Sequence, residues 1–363
     1  MNDRLIKIKD VIKKKNCNGI LITDPIDATY ISGFPAEDYC LFIDQRRNYL
    51  CTDSRFQEAA LKFCEKSGEW HFILIKKSGF SFLKHKFKDD YKIAFQSEIM
   101  PVAEYNLIKK EFPKIKFIPT TGIVADTTVI KNSKEIKFIE EACRIADRAF
   151  KQFCWAITYG AYPKLTEKDA AGILERICSE IGSEKQAFDT ILLFGSNSSV
   201  PHGVPSSRIL SPGELILVDF GCTVSGFRSD MTRTFVVGEP SRKQKEIYSI
   251  VKEAHDMALQ AVKSGMRAKE IDNIAMSIIE KAGYKKFFTH SLGHGVGLRI
   301  HERPWVSPSS TEFLQPGNII TIEPGIYIPG WGGIRIEDTV VIEEKKARSL
   351  SLSPYGLNPF STF

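Results

Sequence analysis

The feature that most constrains this chain is a pair of matching stretches. Ser211-Pro212-Gly213-Glu214-Leu215-Ile216-Leu217-Val218-Asp219-Phe220-Gly221 lines up with Gln315-Pro316-Gly317-Asn318-Ile319-Ile320-Thr321-Ile322-Glu323-Pro324-Gly325. In each, a Pro-Gly turn enters an apolar strand, an acid stands six residues after the glycine, and a second glycine follows two residues later. The surrounding order of elements repeats too: helix, helix, then strands, twice over. A match in residues together with a match in order points to an internal duplication.

The duplication sets Asp219 and Glu323 at equivalent strand positions, each ending an aliphatic run where a carboxylate is expensive to bury without compensation. Each half carries a second acid downstream: Asp230 in Ser229-Asp230-Met231-Thr232-Arg233-Thr234, and Glu337 in Arg335-Ile336-Glu337-Asp338. If the strands meet across a pseudo-twofold axis, four carboxylates converge and repel. Two divalent cations about 3.5 to 4 Å apart would relieve that repulsion and activate a shared water. The Gly293-His294-Gly295-Val296-Gly297 run offers one imidazole, with glycines that let backbone pass close to a site. An oxygen-rich set with one nitrogen suits manganese or cobalt, with zinc or iron also compatible. Taken singly, each residue has a plainer reading: Asp219 as a cap or solvent acid, Asp230 paired with Arg233, Glu337 paired with Arg335, His294 as a core histidine. All of these must hold at once to defeat the metal reading, despite the matched spacing.

The first 125 residues alternate helices and strands, which predicts a small α/β domain. Leu5 to Lys15 is helical, Gly19 to Thr23 is a strand, Asp24-Pro25 marks a turn, and Leu41–Ile43 with Asn48–Cys51 form paired strands. Arg55 to Cys64 is helical, and Phe72–Ile75 and Lys92–Phe95 are strands. No catalytic constellation lies among them. A boundary falls near residues 120 to 132, dividing the chain into domains 1–125 and 126–363. Beyond it, Asn132-Ser133 and Thr166, with Asp169 three residues on, mark helix starts. Further helices are expected over 241–263 and 268–281. Strands are expected at 188–194, 215–223, 232–237, 288–292, 318–328 and 333–343.

The net charge is +6 over 363 residues, from 50 Lys and Arg against 44 Asp and Glu. Lysines gather at 13–15 and 84–88 without an aromatic-interleaved basic stripe, which disfavours nucleic acid as a partner. The eight cysteines form no C-x-x-C pair and read as reduced, buried thiols. No apolar signal core opens the chain and no run of 18 apolar residues occurs, so a cytoplasmic protein without a membrane partner is expected.

These residues resemble a known family: the pita-bread metallopeptidases of the Xaa-Pro aminopeptidase and prolidase branch. The resemblance rests on Gly195-Ser196-Asn197 through Pro201-His202-Gly203, Val218-Asp219-Phe220-Gly221, Ser229 to Thr234, His290 through Gly293-His294-Gly295 to His301-Glu302-Arg303-Pro304, Ile322-Glu323-Pro324-Gly325, and Gly333 to Asp338. Residues 129 to about 352 resemble the catalytic domain, and the part before them the small creatinase-like N-terminal domain. The fold implied is α+β, with a pseudo-twofold repeat. Asp219 would hold the first metal, Asp230 and Glu337 would bridge, and His294 and Glu323 would hold the second, with manganese as the first choice. His202 and His301 would stabilise the tetrahedral intermediate, and Glu323 would carry the proton of the attacking water. His290 would contact substrate, and Arg335, also placed in substrate binding, would orient the bridging carboxylate or a neighbouring histidine. His71, His85 and His255 match no motif and are expected on the surface or in the core.

The activity implied is hydrolysis of an N-terminal Xaa-Pro bond by an Xaa-Pro aminopeptidase, with Xaa-Pro dipeptidase as the alternative. The substrate would be a small peptide with proline at its second position, and the resemblance suggests a homodimer. Methionine aminopeptidase shares the metal set but lacks the N-terminal domain and His290. A metal-free creatinase-like or non-catalytic relative would have lost ligands, and this chain retains all five.

Overall fold

The computed structural model describes residues 3–35, 37–76, 79–160 and 164–358. The chain divides into two compact units, Met1–Thr128 and Val129–Phe363.

In the first unit the elements run α1 (Asp3–Lys14), β1 (Gly19–Ile22), α2 (Pro25–Ser32), β2 (Tyr39–Asp44), β3 (Asn48–Thr52), α3 (Gln57–Ser67), β4 (His71–Leu74), β5 (Lys92–Gln96), α4 (Val102–Glu111), β6 (Lys116–Thr120) and α5 (Ala125–Thr128). The sheet order is β4-β3-β2-β1-β5-β6. β1, β2 and β3 pair antiparallel, with Leu41 opposite Leu50, while the outer pairings are parallel. Asp24-Pro25 starts a helix instead of closing a turn. The Asp24 carboxylate accepts the Asp27 N–H at 2.9 Å, and Pro25 occupies the first helical turn, where its missing N–H costs nothing. Leu21, Phe42, Phe95 and Phe117 lie in the core of this unit.

In the second unit come α6 (Ser133–Tyr159), α7 (Glu167–Ile181), β7 (Ile191–Phe194), β8 (Leu215–Phe220), β9 (Thr223–Val224), β10 (Phe227–Arg228), β11 (Met231–Val236), α8 (Arg242–Ala261), α9 (Ala268–Lys281), β12 (Gly293–Gly295), β13 (Glu302–Val306), β14 (Ile319–Ile322), β15 (Gly325–Ile328), β16 (Gly332–Arg335), β17 (Asp338–Ile342) and β18 (Ala347–Ser349). Asn132 and Thr166 cap their helices through reciprocal bonds with Glu135 and Asp169. α6 buries Ile139, Ala142, Cys143, Ala146, Ala149, Phe150 and Phe153, a stripe at helical spacing. That stripe packs with α7 and strands β7, β8 and β11 into one core, and α8 and α9 pack on the later strands into another. The duplicated turns match in conformation: Gly213 has φ +78 and Gly317 φ +87, values that favour glycine.

Several strand expectations change. The stretches at 318–328 and 333–343 are each two strands, broken at Glu323-Pro324 and at Ile336-Glu337. The chain changes sheets there: β14 pairs with β17 in the five-stranded sheet β13-β12-β14-β17-β18, whereas β15 and β16 pair with each other. Pro324 has no N–H to continue a ladder. The strand expected at 288–292 forms instead at Gly293–Gly295, after a 3-10 turn at Lys285–Phe287. All eight cysteines are free and buried. Among the described residues no helix is long and apolar enough to cross a membrane.

Candidate active site

The sheet changes bring the acids together. Asp219 lies in β8, directly opposite Thr232 of β11, and Asp230 immediately precedes β11. Glu323 follows β14, its N–H bound to the Leu292 carbonyl at 2.9 Å. Glu337 sits in the gap between β16 and β17, and its N–H reaches the Thr232 carbonyl of the first half at 3.1 Å. His294 is the middle residue of β12. A Cβ on Gly293 would fall 2.2 Å from the Thr321 carbonyl oxygen, and one on Gly295 2.3 Å from that of Arg303. The flanking glycines therefore let neighbouring strands close around His294.

Asp230, His294 and Glu337 each offer a ligand atom, and these atoms lie within 4.8 Å of one another. His294 Nε2 is 3.4 Å from Glu323 Oε1 and 3.6 Å from Asp230 Oδ2. Its Nδ1 faces the Gly295 carbonyl at 3.1 Å, an oxygen that can only accept, so Nδ1 carries the proton and Nε2 presents its lone pair. Burial holds this imidazole neutral, its pKa lowered to about 3. Two threonines orient carboxylates: Thr232 Oγ1 donates to Glu337 Oε2 at 2.6 Å, and Thr321 Oγ1 to Glu323 Oε1 at 3.2 Å.

Burial, followed by the neighbouring carboxylates, raises Asp230 and Glu337 well above the ordinary carboxylate range. Burial and Asp219 push Glu323 to about 8 against the pull of Arg335. The guanidinium of Arg335 bonds Asp219 Oδ2 through Nη2, Thr232 Oγ1 through Nε at 2.9 Å, and Tyr327 Oη through Nη1 at 2.7 Å. Asp219 Oδ1 is buried with no hydrogen-bond partner. Acceptor lone pairs thus converge on a common space that a divalent cation fits. Neither plain ion pair considered from sequence forms, since Arg335 takes Asp219 in place of Glu337, and Arg233 takes Asp338 at 2.8 Å in place of Asp230.

All the side chains singled out from sequence line one cleft of about 530 Å³: His202, Asp219, Asp230, His290, His294, His301, Glu323, Arg335 and Glu337. His301 stands against the ligand histidine candidate, ring centroids 4.4 Å apart, edge to face. His202 is exposed at the rim. His290 Nδ1 donates to the Ser291 carbonyl at 2.8 Å, and its Nε2 lies 2.9 Å from Tyr327 Oη, which in turn accepts from Arg335. The ring is tied into the protein at both nitrogens. Sequence reasoning gave no role to Tyr327, Thr232 or Thr321. Thr232 lies inside a quoted motif, but nothing local marks a hydroxyl as the orienter of an acid more than a hundred residues away. His71 and His85 are exposed in the first unit, and His255 is buried in the core of the second.

Residues 137–344 match the model of metallopeptidase family M24, and residues 4–127 match the creatinase/prolidase N-terminal domain. The chain belongs to metallopeptidase family M24. It is 38% identical over 358 residues to the Xaa-Pro dipeptidase of Pyrococcus furiosus, spanning 97% of this chain and 98% of that one. The prolidase structure from Pyrococcus horikoshii OT3 superposes with a TM-score of 0.89 at 36% identity, covering 98% of this chain and all of the other. The X-Pro aminopeptidase structure from Thermotoga maritima MSB8 superposes with a TM-score of 0.88 at 33% identity, covering 97% and 98%. As an M24 member the chain is a metallo-exopeptidase with the pita-bread fold behind a creatinase-like N-terminal domain, and M24 chemistry works with divalent metal ions.

Proposed function

We propose that this M24 peptidase is an Xaa-Pro dipeptidase that uses two divalent ions held by Asp219, Asp230, His294, Glu323 and Glu337. The sequence motifs favour aminopeptidase over dipeptidase, whereas the full-length likeness to Xaa-Pro dipeptidases favours the second. The observation that carries the metal reading is the buried meeting of Asp230, Glu337 and the bare Nε2 of His294 beside Glu323. Asp219 would hold the first ion, Asp230 and Glu337 both ions, and His294 and Glu323 the second, with manganese preferred to cobalt, zinc or iron. When bound, the ions supply Lewis acidity and a nucleophilic water at neutral pH.

The protein's own groups do the rest. Glu323, held by Thr321, takes the proton of the attacking water and delivers it to the departing proline nitrogen. His202 and His301 donate to the oxygen of the scissile carbonyl as negative charge gathers there. Arg335 acts by orienting Asp219 and Thr232, because its nitrogens are committed to the protein. His290, fixed by Ser291 and Tyr327, forms part of the wall against the proline ring. An Xaa-Pro bond is a tertiary amide without an N–H, so a site that reads it needs shape here in place of an acceptor.

The test is a peptide panel after removal of metal and readdition of single ions. Xaa-Pro dipeptides should be cleaved and Met-Ala-Xaa peptides left intact. Cleavage of Xaa-Pro-Xaa at a comparable rate would return the reading to aminopeptidase, the activity named for the Thermotoga structure.

A further inference from the structure

We infer that Glu167, the first residue of α7, is a positioning residue that sets the place of His202; this rests on His202 being the donor to the carbonyl oxygen. The Glu167 side chain is completely buried. Its Oε1 accepts the Phe194 N–H at 2.7 Å and the Asn197 amide at 3.0 Å, and its Oε2 accepts the Ser206 N–H at 2.8 Å and the Ser206 hydroxyl at 2.5 Å. Every partner is a neutral donor, and the helix N-terminus beneath adds favourable field for the negative charge.

These donors bracket His202. Phe194 and Asn197 precede it and Ser206 follows it, so one carboxylate ties both limbs of the 194–206 segment to the start of α7. Backbone pairing reinforces the closure, with Glu167 N–H on the Arg208 carbonyl at 3.0 Å and Lys168 N–H on that of Ser206 at 3.2 Å. The far side of the segment faces the second half of the duplication: Ser198 Oγ accepts the Gly333 N–H at 2.8 Å, and the Pro201 carbonyl accepts from Arg335 at 3.3 Å. The imidazole of His202 itself makes no hydrogen bond within the described residues and is exposed. Its position is therefore set by its backbone, and that backbone is held by Glu167 on one side and by Ser198 and Arg335 on the other. Only a carboxylate can accept on both limbs at once. A glutamine at this place would turn an NH2 group toward the Phe194 N–H or the Ser206 N–H and weaken the tie on that limb.

The experiment is a double-mutant cycle with manganese-loaded protein and an Ala-Pro dipeptide, supported by metal analysis and hydrogen exchange. His202→Ala should lower kcat on the order of 100-fold. Glu167→Gln should lower kcat about 10- to 100-fold, with KM and metal content unchanged, because a small misplacement suffices. In the double variant the loss should equal that of His202→Ala alone, and hydrogen exchange in Glu167→Gln should quicken at residues 194–206. Multiplying losses, loss of metal, or unchanged exchange in that segment would overturn the inference while leaving the role of His202 intact. Full kcat in His202→Ala would remove that role and this inference together. If Glu167→Gln does not fold, Asn197→Ala, which takes away one donor, should show the same non-additivity at a smaller fold-change, and additivity there would count against the latch.

Discussion

Each buried acid of the site needs a partner, and the protein supplies too few. One guanidinium serves Asp219, two hydroxyls serve Glu337 and Glu323, and Asp219 Oδ1 has none. Asp230→Ala and Glu337→Ala should each abolish peptidase activity and lower bound metal, measured by elemental analysis; full activity with full metal in either would refute the two-ion reading. Arg335→Lys should cut activity about 10- to 100-fold while the metal site weakens, as for other outer partners. An ammonium is a point donor and cannot span Asp219, Thr232 and Tyr327 together. If kcat and metal affinity both survive that change, the guanidinium does not orient the carboxylate.

The repeated turn is the unit that carries the acids, and its glycines differ in their surroundings. A Cβ on Gly213 would meet open space, whereas one on Gly317 would come 2.8 Å from the Lys131 carbonyl oxygen. Both have positive φ. Gly213→Ala should therefore cost about 1–2 kcal/mol, the penalty of a left-handed residue alone. Gly317→Ala should cost more, because backbone must also move. Denaturant melts of the two variants measure the difference, and equal losses would show that the contact at Gly317 relaxes freely. The helix starts obey local chemistry in the same way: Asn132→Ala removes a capping box and should cost about 1 kcal/mol.

At the level of the whole molecule, four acids gathered from two halves repel one another, and a divalent ion among them would remove that repulsion. Chelation should lower the melting temperature, and manganese should restore it. At an ion concentration 100-fold above Kd, linkage gives about 2.7 kcal/mol of added stability per site. The Asp230→Ala protein should lose most of this response. A melting temperature indifferent to chelator in the unmodified chain would mean that the acids are neutralised by protons alone.

What the sequence determined by itself were the features governed by neighbours a few positions apart. The duplicated Pro-Gly turns, the helix starts at Asn132 and Thr166, and the aliphatic runs ending in Asp219 and Glu323 follow from backbone freedom, capping and periodicity. The motifs, together with the family resemblance, also named the acids and histidines that share the cleft. Only the tertiary structure decided which of them face one another. Arg335 meets Asp219 across 116 residues instead of Glu337 two residues away, because β16 ends before Glu337 and the chain changes sheets there. Tyr327 joins His290 to Arg335, and Glu167 closes a loop 27 to 39 residues ahead of it, for the same reason. Those meetings depend on strand register and on where one sheet yields to another, and such information is spread over the whole packed core.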